Sequence, residues 1–163
     1  MEELLGPAAR LAAMLRDRRA TIAVAESSAG GLISAALLAQ PGASAFFLGG
    51  AVVYTRQARD GLLGITAAEM AGLRSASEPY ALLIARSLCV RLGATWGLAE
   101  TGAAGPTGNR YGDAPGHTCV AVAGPAEAAR TLETGSDERV ANMRAFAAAA
   151  LALLSEVLAT QTA

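Results

Sequence analysis

Two short runs hold the residue types best suited to chemistry. Glu26-Ser27-Ser28-Ala29-Gly30-Gly31 lies between an apolar stretch and a helical pattern, and Thr101-Gly102-Ala103-Ala104-Gly105-Pro106 follows a second apolar stretch. The first run puts two hydroxyls and a glycine pair at a helix start, where free N–H groups and the helix dipole favour an anion or an oxyanion. Glycine lets backbone approach a ligand closely. One turn could therefore supply a nucleophile, Ser27 or Ser28, together with a cradle for a phosphate or an oxyanion. The same residues also fit a plain helix start, with Ser27 or Ser28 as the cap and the glycines only turning the chain. The Thr101–Pro106 run has the same two readings.

The supply of bases is narrow. Lys and Arg together number 13 in a chain of 163 residues, and every one is Arg. A Walker-A phosphate loop, a Schiff-base lysine and a Ser-Lys pair are all excluded. A base must be a carboxylate, a Tyr, a Cys, the single His117, the α-amine or water. His117 stands at the start of an apolar strand and is expected to be a hydrogen-bonded structural histidine. Trp96 is expected in the core, and Asp113 as a solvated loop carboxylate. Arg139, at the start of the last helix, suits a phosphate contact or a solvent-facing ion pair. No His, Cys, Asp or Glu cluster has metal-ligand spacing, so neither a metal nor another cofactor is expected. Cys89 and Cys119 sit in apolar runs as buried thiols.

Bulk properties set wider limits. The net charge of −1 argues against nucleic-acid binding driven by charge. The acidic opening, Met1 to Leu5, does not resemble a signal peptide. The apolar run Ala145 to Leu154 is too short to span a bilayer. A cytoplasmic protein without membrane contact is expected, forming one domain over 1–163. Hydrophobic residues make up 53% and aromatics only 4%, which points to a core of small aliphatics suited to close helix–sheet packing.

The elements that must hold these residues follow from periodicity. Leu4, Ala8, Leu11, Ala12 and Leu15 mark an opening helix. Strands are expected at Thr21–Ala25, Ala51–Tyr54, Thr95–Glu100, His117–Ala123 and Ala128–Thr134. A helix is expected over about 30–39, and a short one over 56–63 capped by Thr55 and stopped by Gly64. Thr66 and Glu69 form a capping box for another short helix. Ser77 starts a helix that ends before Gly93. The last helix starts at Ser136 or Asp137, runs to about Ala159, and buries Val140, Met143, Ala147, Ala150, Leu151, Leu154 and Leu158. The tight turn at Gly124-Pro125 forces the sheet to be mixed. The fold class is α/β: a three-layer α/β/α sandwich with a mixed, mostly parallel sheet of about five strands.

Taken in order, these motifs resemble the CinA C-terminal domain family, whose active members are nicotinamide-nucleotide amidases. Members carry A-E-S-C-T-G-G, here Ala25 to Gly31. They carry P-G-S-S-x-x-F-x-G-G, here Pro41 to Gly50, and then V-x-Y, here Val52 to Tyr54. L-L-G-V is here Leu62 to Ile65, V-S-E is Ala76 to Glu78, and T-G-I-A-G-P is Thr101 to Pro106. The resemblance implies hydrolysis of the carboxamide of nicotinamide mononucleotide, in a fold similar to anticodon-binding domains. It implies Ser27 as nucleophile, Tyr54 beside the base, and substrate contacts from Glu26, Ser28, Gly30, Gly31, Gly49, Thr101, Gly102, Gly105 and Arg139. The partner implied is a small pyridine nucleotide, and a homodimer or higher homo-oligomer is expected.

The chain departs from the pattern where relatives carry Y-S-N-x-x-K. Here the run is Tyr54-Thr55-Arg56-Gln57-Ala58-Arg59, so Arg59 replaces the probable general base. Arginine is not deprotonated in proteins. Arg59 is therefore expected to hold a phosphate or stabilise an oxyanion, with the proton passing to Tyr54, Glu26 or water. A catalytically impaired paralogue that still binds a nucleotide, or that serves as an interaction module, is the alternative. The Cys and Thr of the turn are Ser28 and Ala29, and Met143 stands where the last helix of relatives often has a second Arg.

Overall fold

A computed structural model describes residues 1–161. The chain runs α1 (Glu2–Asp17), β1 (Ile22–Glu26), α2 (Leu32–Leu38), β2 (Phe47–Val52), α3 (Arg56–Ala58), α4 (Glu78–Leu92), β3 (Trp96–Ala103), β4 (His117–Ala123), β5 (Ala128–Glu133) and α5 (Arg139–Thr160). The strands form one mixed sheet in the order β2-β1-β3-β4-β5. β1 pairs in parallel with β2 and β3, and β4 is antiparallel to both β3 and β5. Only β4 runs against the other four strands.

Alternation along the strands assigns the two faces. Ile22, Val24, Trp96, Leu98, Val120 and Val122 pack with α1, α2 and α5. Ala23, Ala25 and Ala99 face the other way, toward Ile84, Ala85 and Leu88 of α4. This second face is built of small residues because α4 lies almost on the sheet backbone. A Cβ on Gly97 would stand 2.2 Å from the Ala85 carbonyl oxygen. Alanine and glycine abundance is thus spent on bringing helix and sheet together. α5 is long and apolar enough to cross a bilayer, yet Phe146, Ala150, Leu151, Leu154 and Leu158 are fully buried in this core.

Several expectations shift. β2 starts at Phe47 and ends at Val52, so the Gly49-Gly50 pair lies inside an edge strand and Tyr54 lies beyond it. β3 continues to Ala103, which places Thr101 and Gly102 in a strand paired with β4 and not in a loop. Thr66 and Glu69 make their reciprocal bonds (Thr66 N–H to Glu69 Oε2, 2.8 Å; Glu69 N–H to Thr66 Oγ1, 3.3 Å), but only turns follow. Left-handed Gly72, with φ +76°, stops a helix from growing there. α5 begins at Arg139, and Val140 is exposed on its first turn. Thr55 accepts the Ala58 N–H as expected; after α3 the chain widens into one π-helical turn over Arg59–Leu63, ended by left-handed Gly64.

Candidate active site

The parallel strands β1, β2 and β3 bring the Ser27 turn, the Val53-Tyr54 segment and Thr101-Gly102 to one edge of the sheet. This carboxyl edge is where α/β sheets bind ligands. A cleft of about 970 Å³ opens there, walled by Ser27, Tyr54, Arg56, Arg59, Asp60, Tyr80, Thr101, Gly102, Arg110 and Tyr111 among others.

Two buried carboxylates set the Ser27 turn. Glu26 Oε2 accepts the Gly31 and Ile33 N–H groups at 2.9 and 3.0 Å, while Oε1 accepts the Ser34 N–H and hydroxyl at 2.8 and 2.6 Å. Glu100 Oε2 accepts the Ser27 and Ala29 N–H groups at 3.0 and 2.7 Å; Oε1 accepts the hydroxyls of Ser28 and Thr118 at 2.5 and 3.0 Å. Both are fully buried. Burial pushes the Glu100 carboxyl above the ordinary range, against the pull of those four bonds.

This arrangement corrects the expectation of an open helix N-terminus. The first N–H groups of α2 are taken by Glu26, so no free anion cradle remains there. Glu26 is spent in that role and stays off the cleft wall. Ser28 is buried and turned down onto Glu100. Gly30 and Gly31 are needed for their backbone, at φ +68° and +99°, and Gly31 is the uncapped residue before α2. Gly49 lies on β2, where a Cβ would stand 3.0 Å from Leu92 Cδ1, far from any role with a ligand. The neighbouring Gly50 leaves room for Ser34, whose Oγ would be 2.5 Å from an added Cβ.

Of the residues implied by resemblance, Ser27, Tyr54, Arg59, Thr101 and Gly102 are the ones gathered at the cleft. Ser27 is half-buried, and its hydroxyl makes no hydrogen bond among the described residues. The Ser28 N–H, the next donor along the turn, is likewise unpaired among them. Thr101 Oγ1 accepts the Ala76 N–H at 3.3 Å. Gly102 has a packing reason: a Cβ would lie 2.3 Å from the His117 carbonyl oxygen. Arg139 donates to the Gly105 carbonyl at 2.6 Å and to the Tyr54 hydroxyl at 3.2 Å, so it joins α5 and the 103–106 segment to Tyr54. It makes no ion pair among the described residues, contrary to one of its two expected roles. Gly105, with φ +107°, is buried against the Asp137 carbonyl. Arg59 is buried and pairs with Asp60.

The sequence reading passed over several wall residues. Arg56 and Arg110 are exposed on the cleft, where they and Arg59 outnumber Asp60 as charges. The guanidinium carbons of Arg74 and Arg110 lie over the Tyr111 ring, 5.6 and 5.7 Å from its centroid. Such stacking holds the ring in place. Arg74 in turn pairs with Asp113 at 2.5 Å, and Asn109 donates to the same carboxylate at 2.8 Å. Asp113 is therefore a held anchor, not a solvated carboxylate. Arg74 pulls its carboxyl below the usual range. Asn142, buried, donates to the carbonyls of Ala104 and Ser136 and ties α5 to the segment after β3. Glu100, inside the buried strand β3, is a structural residue that the sequence alone did not single out.

His117 is structural, as expected. Its Nδ1 meets Glu133, and Nε2 lies 3.0 Å from the Ala76 carbonyl oxygen. Asp113 stands 3.7 Å from Nε2. With an acceptor at each nitrogen, the ring is suited to carry two protons. Burial lowers its pKa, but Glu133, Ala76 and the Asp113 charge outweigh that and raise it. Cys89 and Cys119 are buried free thiols, and burial pushes both upward. Trp96 is in the core.

The fold and cleft define a three-layer α/β sandwich with a hydroxyl-bearing turn at the carboxyl edge of its sheet. A model of the CinA C-terminal domain matches residues 6–158, and the chain belongs to that family. It is 41% identical over 112 residues to a CinA-like protein of Prochlorococcus marinus, a match covering 69% of this chain and 26% of that protein. The chain thus spans about a quarter of the length of that curated relative. Two solved structures match nearly end to end. The CinA superfamily protein of Klebsiella pneumoniae 700603 has 26% identity and a TM-score of 0.90, covering 97% of this chain and 99% of that one. The competence/damage inducible protein CihA of Agrobacterium tumefaciens has 27% identity and a TM-score of 0.88, covering 96% of each chain.

Proposed function

We propose that this chain hydrolyses the carboxamide of nicotinamide mononucleotide, giving nicotinic acid mononucleotide and ammonia, with Ser27 as nucleophile. The observation that carries this reading is the Ser27 hydroxyl. It stands unpaired at a cleft, on a turn whose backbone is clamped by buried Glu100. A clamped nucleophile loses little entropy on reaching the attacking geometry. The unpaired Ser28 N–H is the donor suited to the oxyanion that forms on the carboxamide oxygen. Arg56 and Arg110 supply positive charge for the nucleotide phosphate, and Tyr111, exposed on the cleft wall, supplies aromatic surface near the pyridine.

Arg59 supports a second reading, a relative that binds the nucleotide without turning it over. A guanidinium cannot replace the amine that accepts a proton in relatives. Ammonia release from nicotinamide mononucleotide separates the two. Release by the wild type and its loss in Ser27→Ala supports hydrolysis. Saturable binding by calorimetry with no ammonia supports the second reading, and neither result with the wild type removes both.

A further inference from the structure

We propose that Asp60 is the proton acceptor for Ser27, an assignment that rests on the hydrolytic reading above. The proton-accepting groups nearest the Ser27 turn and the cleft are mostly engaged already. Glu26 and Glu100 are fully buried, and both oxygens of each already accept hydrogen bonds. Asp113 is held by Arg74 and Asn109. His117 is enclosed between Glu133 and the Ala76 carbonyl. Tyr80 is on the cleft wall, but burial pushes its phenol upward. The Tyr54 hydroxyl is already engaged as the acceptor of Arg139.

Among the described residues, Asp60 is the one carboxylate on the wall of the cleft that also holds Ser27. Its side chain is 49% exposed. Arg59 contacts a single oxygen, Oδ1, through Nε at 2.8 Å and Nη2 at 2.7 Å. Oδ2 carries no hydrogen bond among the described residues. A buried guanidinium therefore fixes the carboxylate and leaves one oxygen to accept a proton. Both residues stand on the π-helical turn, a backbone irregularity common at functional sites. Arg59 is then a positioning residue, and its neighbour does the work that lysine does in relatives.

In the proposed step, the Ser27 oxygen bonds to the carboxamide carbon as its proton passes to Asp60. The carbon–nitrogen bond breaks, and the leaving nitrogen takes that proton and departs as ammonia. Water then attacks the acyl ester and gives a proton to Asp60. The carbon–Ser27 bond breaks, and the proton returns to the Ser27 oxygen. One water is consumed, and one acid and one ammonia are formed.

The test compares Asp60→Asn and Asp60→Glu with the wild type, by the kcat and KM of ammonia release from nicotinamide mononucleotide and by urea unfolding. Asn still accepts from Arg59, so its unfolding midpoint should match the wild type. Its kcat should fall about 100-fold or more, the usual share of a general base, with KM little changed. Glu should restore at least about tenfold over Asn by keeping the base. Wild-type kcat in Asp60→Asn, or equal loss in Asn and Glu, overturns the assignment while leaving hydrolysis standing. A wild type that releases no ammonia overturns hydrolysis and the assignment together.

Discussion

The Ser28 hydroxyl donates to Glu100 at 2.5 Å, and the other oxygen of that carboxylate receives the backbone N–H groups on either side of Ser28. A buried acid on β3 thereby shapes a turn 72 residues earlier in the chain. The turn is held from beneath by side-chain chemistry, which leaves its upper side free for Ser27.

Glu100→Ala removes the acceptor for four donors in a dry site. Each orphaned donor costs about 1–3 kcal/mol when water cannot replace the acceptor. We expect a loss of about 3 kcal/mol or more by urea unfolding. A loss under about 1 kcal/mol would mean that water enters and substitutes for the carboxylate.

Ser27→Ala should leave the fold alone. Glu100 binds the Ser27 N–H, which alanine retains, and the hydroxyl has no partner to lose among the described residues. The unfolding free energy should stay within about 0.5 kcal/mol of the wild type, while ammonia release disappears. A large stability change would show that the hydroxyl is structural.

His117 should make stability depend on pH. Its folded pKa is raised above the unfolded value, so the gain is complete below the unfolded pKa of about 6.5 and fades as pH rises through the folded pKa. Urea midpoints measured from pH 6 to pH 9 should decline, and His117→Gln should flatten that decline. An unchanged slope in the variant would assign it to other groups.

Gly102→Ala tests the close approach of β3 and β4. The new Cβ would stand 2.3 Å from the His117 carbonyl oxygen and 2.8 Å from Thr118 Cα. Backbone must move, and overpacking of this kind costs about 1–3 kcal/mol. Because Gly102 also lines the cleft, the substrate KM should rise as Tm falls. A neutral Tm would refute the packing reason for this glycine.

Arg139→Ala frees the Tyr54 hydroxyl and the Gly105 carbonyl together. We expect KM for nicotinamide mononucleotide to rise about 10-fold, equivalent to ~1.4 kcal/mol, because Tyr54 loses its fixed position. Calorimetry on the same variant would reveal unchanged binding if Tyr54 were held by its own segment alone.

Much of this fold was legible in order and period. The Leu4 to Leu15 spacing gave α1, the Ser77 cap and Gly93 stop bounded α4, and the tight turn at Gly124-Pro125 required the antiparallel β4–β5 pair. The misread boundaries lie where glycine hides its neighbour. Gly49 and Gly50 looked like a break before a strand but sit within β2, because Leu92 and Ser34 occupy the space of their missing side chains. The Thr101-Gly102 pair looked like a loop and is strand for the same reason.

Sequence by itself determined that no lysine could serve as a base and that Ser27 stands at a strand-to-helix turn. These are facts of residue type and local spacing. Tertiary structure alone decided that Glu26 and Glu100 are structural, that Asp60 faces the cleft, and that Arg74 packs over Tyr111. Each of these depends on which groups are buried together from distant parts of the chain. The free energy of a buried carboxylate is set by the donors packed around it, and no local pattern records their arrival.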